Sequence, residues 1–271
     1  MKTKFSFLGL LVAALFLFTS ISAEAAQMGT DWNTQKITVV GTGVAPNGMR
    51  GAQARIMAKR AAMADGYRQL LEAVKGVQVD ASTTVEMAMV QSDSIKLKVS
   101  GLVQGARVVS ENFTNDGAYE VTMEIPMFGA SGGLAAAVIE KPAVVEPIPE
   151  PDVTVTVKVE VNKGGYTGLI IDCRGFRVQP VMSPVIKNAN GKKIYGHKNL
   201  DYDKVIEFGM ASYADNMSMA TRAGSNPLII KAVAVEDFNS NPVVSNEDAN
   251  RILSENKHSH FLEDTAVVFL Y

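Results

Sequence analysis

The chain has 271 residues, a formal net charge of −2 at pH 7, 47% apolar residues and one cysteine. This slightly acidic balance argues against a nucleic-acid binder, which needs a basic surplus to neutralise phosphates. One cysteine excludes an internal disulfide, so the fold must be held by apolar cores.

Residues 1–25 read as a cleaved secretory signal. Lys2 and Lys4 precede an apolar run at 5–18, and Ala23, Glu24 and Ala25 form an A-x-A-type processing site before Ala26. The run of about 14 residues is shorter than the roughly 20 a bilayer span needs. The expected location is therefore periplasmic or secreted. No cysteine stands near the processed end, so no lipid anchor is expected. No later run reaches spanning length, so no transmembrane segment is expected in the mature chain.

Next comes a strand at 36–44, in which Gly41 and Gly43 signal a bulge or close packing. A long helix follows over about 50–74. Its spacing predicts a buried face of Ala54, Met57, Ala61, Ala64, Tyr67, Leu71 and Val74, with Gly76 as a left-handed cap. Residues 77–89 lean towards strand, and 92–104 fit either helix or strand. A hairpin at 106–125 turns at Asp116-Gly117 and buries Tyr119, Val121, Met123 and Ile125.

Residues 131–152 contain Pro142, Pro147, Pro149 and Pro151, the composition of a semi-rigid spacer. Beyond it, strands are expected at 153–161 and 166–172, and a hairpin at 185–195. A helix is read over 203–222, with Val205, Ile206, Gly209, Met210, Tyr213, Met217 and Ala220 on one face. A strand at 228–235, a helix capped by Ser245 and a final strand at 265–271 complete the chain. The fold class is α+β. Two small domains, each an antiparallel or mixed sheet packed with one or two helices, are joined by the Pro-rich linker. Their bounds are 30–130 and 153–271, after a signal at 1–25 and around a linker at 131–152.

The block from Arg60 through Tyr67-Arg68-Gln69-Leu70-Leu71 to Val79, then Gly105-Ala106-Arg107-Val108, then the hairpin closing in Ile125-Pro126, resembles the lipoprotein 20-like family of bacterial envelope proteins. The resemblance covers about 37–128. The same pattern is similar to the N-terminal domain of flagellar assembly protein T. It implies a small α/β module that mediates assembly in the envelope, with envelope proteins such as basal-body or outer-membrane components as partners. It brings no catalytic residues.

The residues that could carry chemistry are few. Ser131 sits in a G-x-S-x-G string, the form of a nucleophile elbow, but ahead of a proline-rich segment instead of a helix over a parallel sheet. A hinge is the expected role. Gly41 and Gly43 lack the third glycine of a dinucleotide loop. His258 and His260 could share a strand face and hold a metal with Glu255 or Glu263, though a solvated helix end explains them as well. His197 is expected in an exposed polar turn, and Cys173 as a buried strand residue. Arg50, Arg55, Lys59, Arg60 and Arg68 could meet anionic lipid, but such spacing usually marks a solvated helix face. The reading is therefore a non-catalytic envelope protein with no catalytic, cofactor or metal residues. It would act through protein contacts, its exposed sheet edges being the candidate surfaces. The alternatives are a small-ligand binder, with the ligand between the domains, and a hydrolase.

Overall fold

A computed structural model describes residues 29–152 and 165–271. The signal at 1–25 and the strand expected at 153–161 lie outside the described residues.

The first domain is a four-stranded antiparallel sheet. β1 (Gly29–Asp31), β2 (Lys36–Val44), β3 (Arg107–Phe113) and β4 (Ala118–Pro126) are arranged in the order β1-β2-β4-β3. Helix α1 (Gly51–Lys75) lies across one face. α2 (Val85–Gln91) and α3 (Asp93–Gln104) form a helical pair capped by the Thr84 and Ser92 side chains. On β4, Tyr119, Val121, Met123 and Ile125 are buried, as the alternation predicts. The opposite face carries a polar row: Glu124 between Lys36 and Arg107, Ser110 bonded to Thr122, and Asn112 bonded to Glu120.

The second half contains α4 (Ala135–Val138), α5 (Tyr202–Phe208), α6 (Asn246–Ser259) and two sheets. Strands β5 (Gly168–Asp172), β8 (Ser212–Ala214), β9 (Pro227–Lys231) and β12 (Val267–Leu270) form a parallel sheet in the order β8-β12-β5-β9. Its central β12 is wholly apolar and buried, as a strand covered on both faces must be. β6 (Ile186–Asn188), β7 (Lys193–Tyr195), β10 (Ala234–Glu236) and β11 (Asn241–Val244) form a mixed sheet in the order β10-β11-β6-β7. At the start of α6, Ser245 Oγ accepts the Asp248 amide, the cap expected of it, and its hydroxyl donates to the Asp248 carboxylate.

The α+β class and the two-domain layout hold. The halves are not independent, however, for one apolar cluster runs from Ile37 and Met123 through Phe128 and Leu134 to Tyr195, Met210 and Phe269. Trp32 packs edge-on against Tyr213 at 5.5 Å, and the Ser183 amide donates to Val79 O at 2.8 Å.

Several local expectations are corrected. The buried face of α1 is Ala58, Ala62, Gly66, Leu70 and Val74, while Ala61 and Ala64 are exposed. The larger Met57, Tyr67 and Leu71 flank that stripe, because the facing Gly41 and Gly43 admit only the smallest side chains. Gly76 closes α1 with a right-handed φ of −74°. Residues 77–89 contribute only an isolated bridge, Gln78 to Thr84, before α2 begins. The helix read over 203–222 ends at Phe208. Gly209 turns the chain at φ +76°, and 212–214 then pair with β12, so strand pairing overrides the helical period. The strand at 228–235 divides into β9 and β10, which belong to different sheets.

The proline-rich segment is a docked strap. Leu134, Ala135, Ala137, Val138 and Ile139 are buried. Further on, the Glu146 amide donates to Lys198 O, Asn199 Nδ2 donates to Pro147 O, and Glu150 pairs with Lys257.

Candidate functional site

Two adjoining hollows of about 540 and 480 Å3 open where the domains meet, and they share Asp80, Ser183 and His197. One wall is the loop after α1, carrying Asp80 and Ser82. The strap supplies Glu146 and Pro147, and the second half supplies His197, Asn199 and Phe238. Their volumes lie within the about 300–1,000 Å3 of ligand clefts, and the position at a domain junction is where such clefts concentrate.

His197 follows Gly196 at the start of a short 3-10 turn, His197–Asn199. It is half-buried instead of exposed, which corrects the expectation. Its Nε2 is shut off from solvent and has no hydrogen-bond partner among the described residues. Burial lowers its pKa below the usual 6.5, and a backbone hydrogen bond and the charge at Glu140 oppose this only partly. The ring is therefore neutral at neutral pH. Asp80 uses Oδ1 to accept the Ser82 and Thr83 amides, at 2.7 and 2.9 Å, fixing the loop beside the histidine.

The rim opposite is a conformationally unusual loop. Asp237, Phe238 and Asn239 all take left-handed backbone, with φ of 49°, 56° and 64°. Such φ is uncommon outside glycine, and costliest for the bulky phenylalanine. The loop is held by its neighbours. The Ser240 amide donates to Glu236 O, Gln179 N–H donates to Asn239 O, and the buried Asn241 donates to Asp237 Oδ2. Lys187 pairs with Asp237 at 2.6 Å, holding that carboxyl below its usual range. The Phe238 ring itself is 79% exposed. Nothing in the apolar patterning marks Phe238. Only the Asp237 and Asn239 on either side, residues tolerant of this backbone, hint at the turn.

A second surface is the outer edge of β3. Among the described residues this strand is the last of its sheet, and it is exposed at six of its seven positions, with a register shift between Val108 and Ser110.

The residues singled out in the sequence do not converge. Ser131 lies exposed in the turn between Gly129 and Gly133, and the hollow beside it is lined by Arg107 and Glu124 with no histidine. Gly41 and Gly43 lie directly against the α1 backbone, which leaves no room for a phosphate. His258 is in the last turn of α6 and His260 is its left-handed cap, 3.8 Å from Glu263, so no strand brings the two onto one face. Among the described residues no group of three potential ligands could hold a metal. Of the five basic residues singled out at Arg50, Arg55, Lys59, Arg60 and Arg68, three have partners within the domain. Lys59 binds Glu111, Arg68 binds Asp65 and Glu72, and Arg55 stacks over Phe113 at 5.2 Å. Cys173 is buried, as expected.

Residues 30–125 match the LPP20 lipoprotein family. Residues 168–271 match the domain described as Treponema pallidum Tp0624, second domain. No curated protein matches the chain significantly. The first match associates the chain with the cell envelope.

Proposed function

We propose, taking the LPP20-like first domain as premise, that this protein is a non-catalytic component of the bacterial envelope that acts by docking other envelope proteins. The observation carrying this reading is the β3 edge. A seven-residue strand whose outer edge pairs with no strand among the described residues can pair with a partner strand. Val109 and Phe113, each 41% exposed, supply apolar side chains along it. The register shift, with Arg107 and Glu111 on the same strand, protects the edge from indiscriminate self-pairing while leaving a selective partner room to bind. Secretion through the segment at 1–25 would deliver the chain to the periplasm. Similarity of the first domain to flagellar assembly protein T makes basal-body components one class of partner.

The test is a photo-crosslinking residue placed at Val109, with exposed Val144 of the strap as control. Exposure in intact cells followed by mass spectrometry should give a defined envelope-protein adduct from position 109 and none from 144. Absence of an adduct at 109, or equal capture at both positions, overturns the reading.

A further inference from the structure

We propose that the cleft between the domains is a saccharide-binding site, with Phe238 as the stacking platform for a sugar ring and His197 as the hydrogen-bonding group at its junction. This is a second site, separate from the β3 edge.

Three observations combine. First, the protein keeps an aromatic ring four-fifths exposed on a loop whose backbone disfavours it, and over-determines that loop with buried Asn241, Ser240 and the Lys187–Asp237 pair. Strain maintained by its surroundings marks a position held for contact. Second, His197 lines both hollows, and its Nε2 has no hydrogen-bond partner among the described residues; it is closed to solvent, so the ring must turn for a ligand hydroxyl to meet it. An unpaired polar atom of this kind costs stability unless something occupies it. Third, the charges are already matched. The lining's two lysines, Lys193 and Lys198, stand among three carboxylates, Asp80, Glu146 and Asp237, and Lys198 faces Glu146 at 3.9 Å, so no cationic surplus is left to hold an anion.

A free ring at the rim, a carboxylate, a hydroxyl and an imidazole at the junction, and no cationic surplus fit a ligand with one face of C–H groups and a margin of hydroxyls. A pyranose has that form. An apolar ligand would require an apolar lining where the two hollows join, whereas Asp80, Ser183 and His197 line both of them. A phosphorylated ligand would require a cationic surplus, which the lining lacks.

The test titrates the full chain with three neutral probes, diacetylchitobiose, cellobiose and maltotriose, and with inorganic phosphate, by calorimetry and saturation-transfer NMR. At least one sugar should bind, and phosphate should not. Phe238→Ala should weaken that binding about tenfold or more, the scale of losing an aromatic anchor. Phe238→Trp should restore it, and His197→Gln should weaken it. Phe238→Gly should lose binding while keeping or raising the melting temperature, because glycine accepts this backbone without strain. That divergence separates a binding role from a structural one. The proposal is overturned if none of the sugars binds at about 10 mM, a limit that corresponds to roughly −3 kcal/mol. Sugar binding unaffected by Phe238→Ala, or phosphate binding that depends on His197, overturns it equally.

Discussion

Gly43 and Ala62 meet backbone to backbone: a methyl group on Gly43 would lie 2.2 Å from the Ala62 amide nitrogen. Gly41 stands in the same relation, 2.3 Å from the Ala62 carbonyl oxygen, and Gly66 completes the contact over Met123. The helix therefore rests on the sheet with no side-chain layer between them at this point. Gly43→Ala must push α1 away or distort β2, and overpacking of this kind costs about 1–3 kcal/mol or more. A melting temperature lower by several degrees is expected. By contrast, a methyl at Gly117 in the hairpin turn meets open space, and Gly117→Ala carries only the strain of φ +88°. Thermal scans of the two variants should rank Gly43→Ala clearly the less stable. The reverse order would mean that α1 and β2 are not in this contact.

The same contact explains what the sequence could and could not reveal. Strand β2, the hairpin and the α6 cap were legible because each is fixed by neighbours within a few residues. The face of α1 was not, since Met57, Tyr67 and Leu71 outweigh Ala58 and Ala62 in any apolar ranking. Only the glycines across the interface make small size the deciding property. The end of α5 was hidden for a related reason. Gly209 turns there because the Phe128 ring, from the other domain, occupies the space beside it. The cleft was the least visible of all, being assembled from a loop at 80, a turn at 197 and a rim at 238 that no local pattern connects.

Tyr213 ties the second half together through its hydroxyl, which accepts the Val181 amide and donates to the Val181 carbonyl, both at 3.0 Å. The group is fully buried, and burial moves its ionisation well above the ordinary value. Tyr213→Phe removes both bonds and leaves two buried backbone groups unpaired, so a loss of about 1–3 kcal/mol is expected. Urea titration reads it directly. A change below about 0.5 kcal/mol would mean that water replaces the hydroxyl.

The shared core makes a further prediction about cooperativity. Trp32, the one tryptophan, contacts Tyr213 across the domain boundary, so its fluorescence reports that junction. Because the apolar cluster is continuous, fluorescence and far-ultraviolet circular dichroism should give coincident unfolding curves. An early fluorescence transition, before loss of secondary structure, would show that the domains separate first.

Cys173 directly follows strand β5 with its side chain inside the core, and burial, with the nearby Asp172 charge, pushes its thiol up to about 12. Only the thiolate reacts with alkylating or disulfide reagents. Native protein should resist such reagents at pH 8 and label fully in urea. Rapid labelling of folded protein would place the thiol at the surface.

His197 sets the acid limb of stability. Its folded pKa lies below the unfolded value of about 6.5, because burial disfavours the charged ring while the Glu140 backbone and charge only partly compensate. As pH falls through 6.5 the unfolded chain takes up a proton that the folded chain resists, so unfolding gains and stability drops. The contribution is complete above about pH 6.5 and is lost downwards to the folded pKa. Asp65, Asp172 and Asp237 have pKa values lowered from already acidic ones, so their losses come at lower pH. Denaturation midpoints measured between pH 7.5 and 5 should therefore decline below 6.5, and the decline should flatten in His197→Gln. A variant that keeps the full slope would assign it to other groups and leave the imidazole open to solvent.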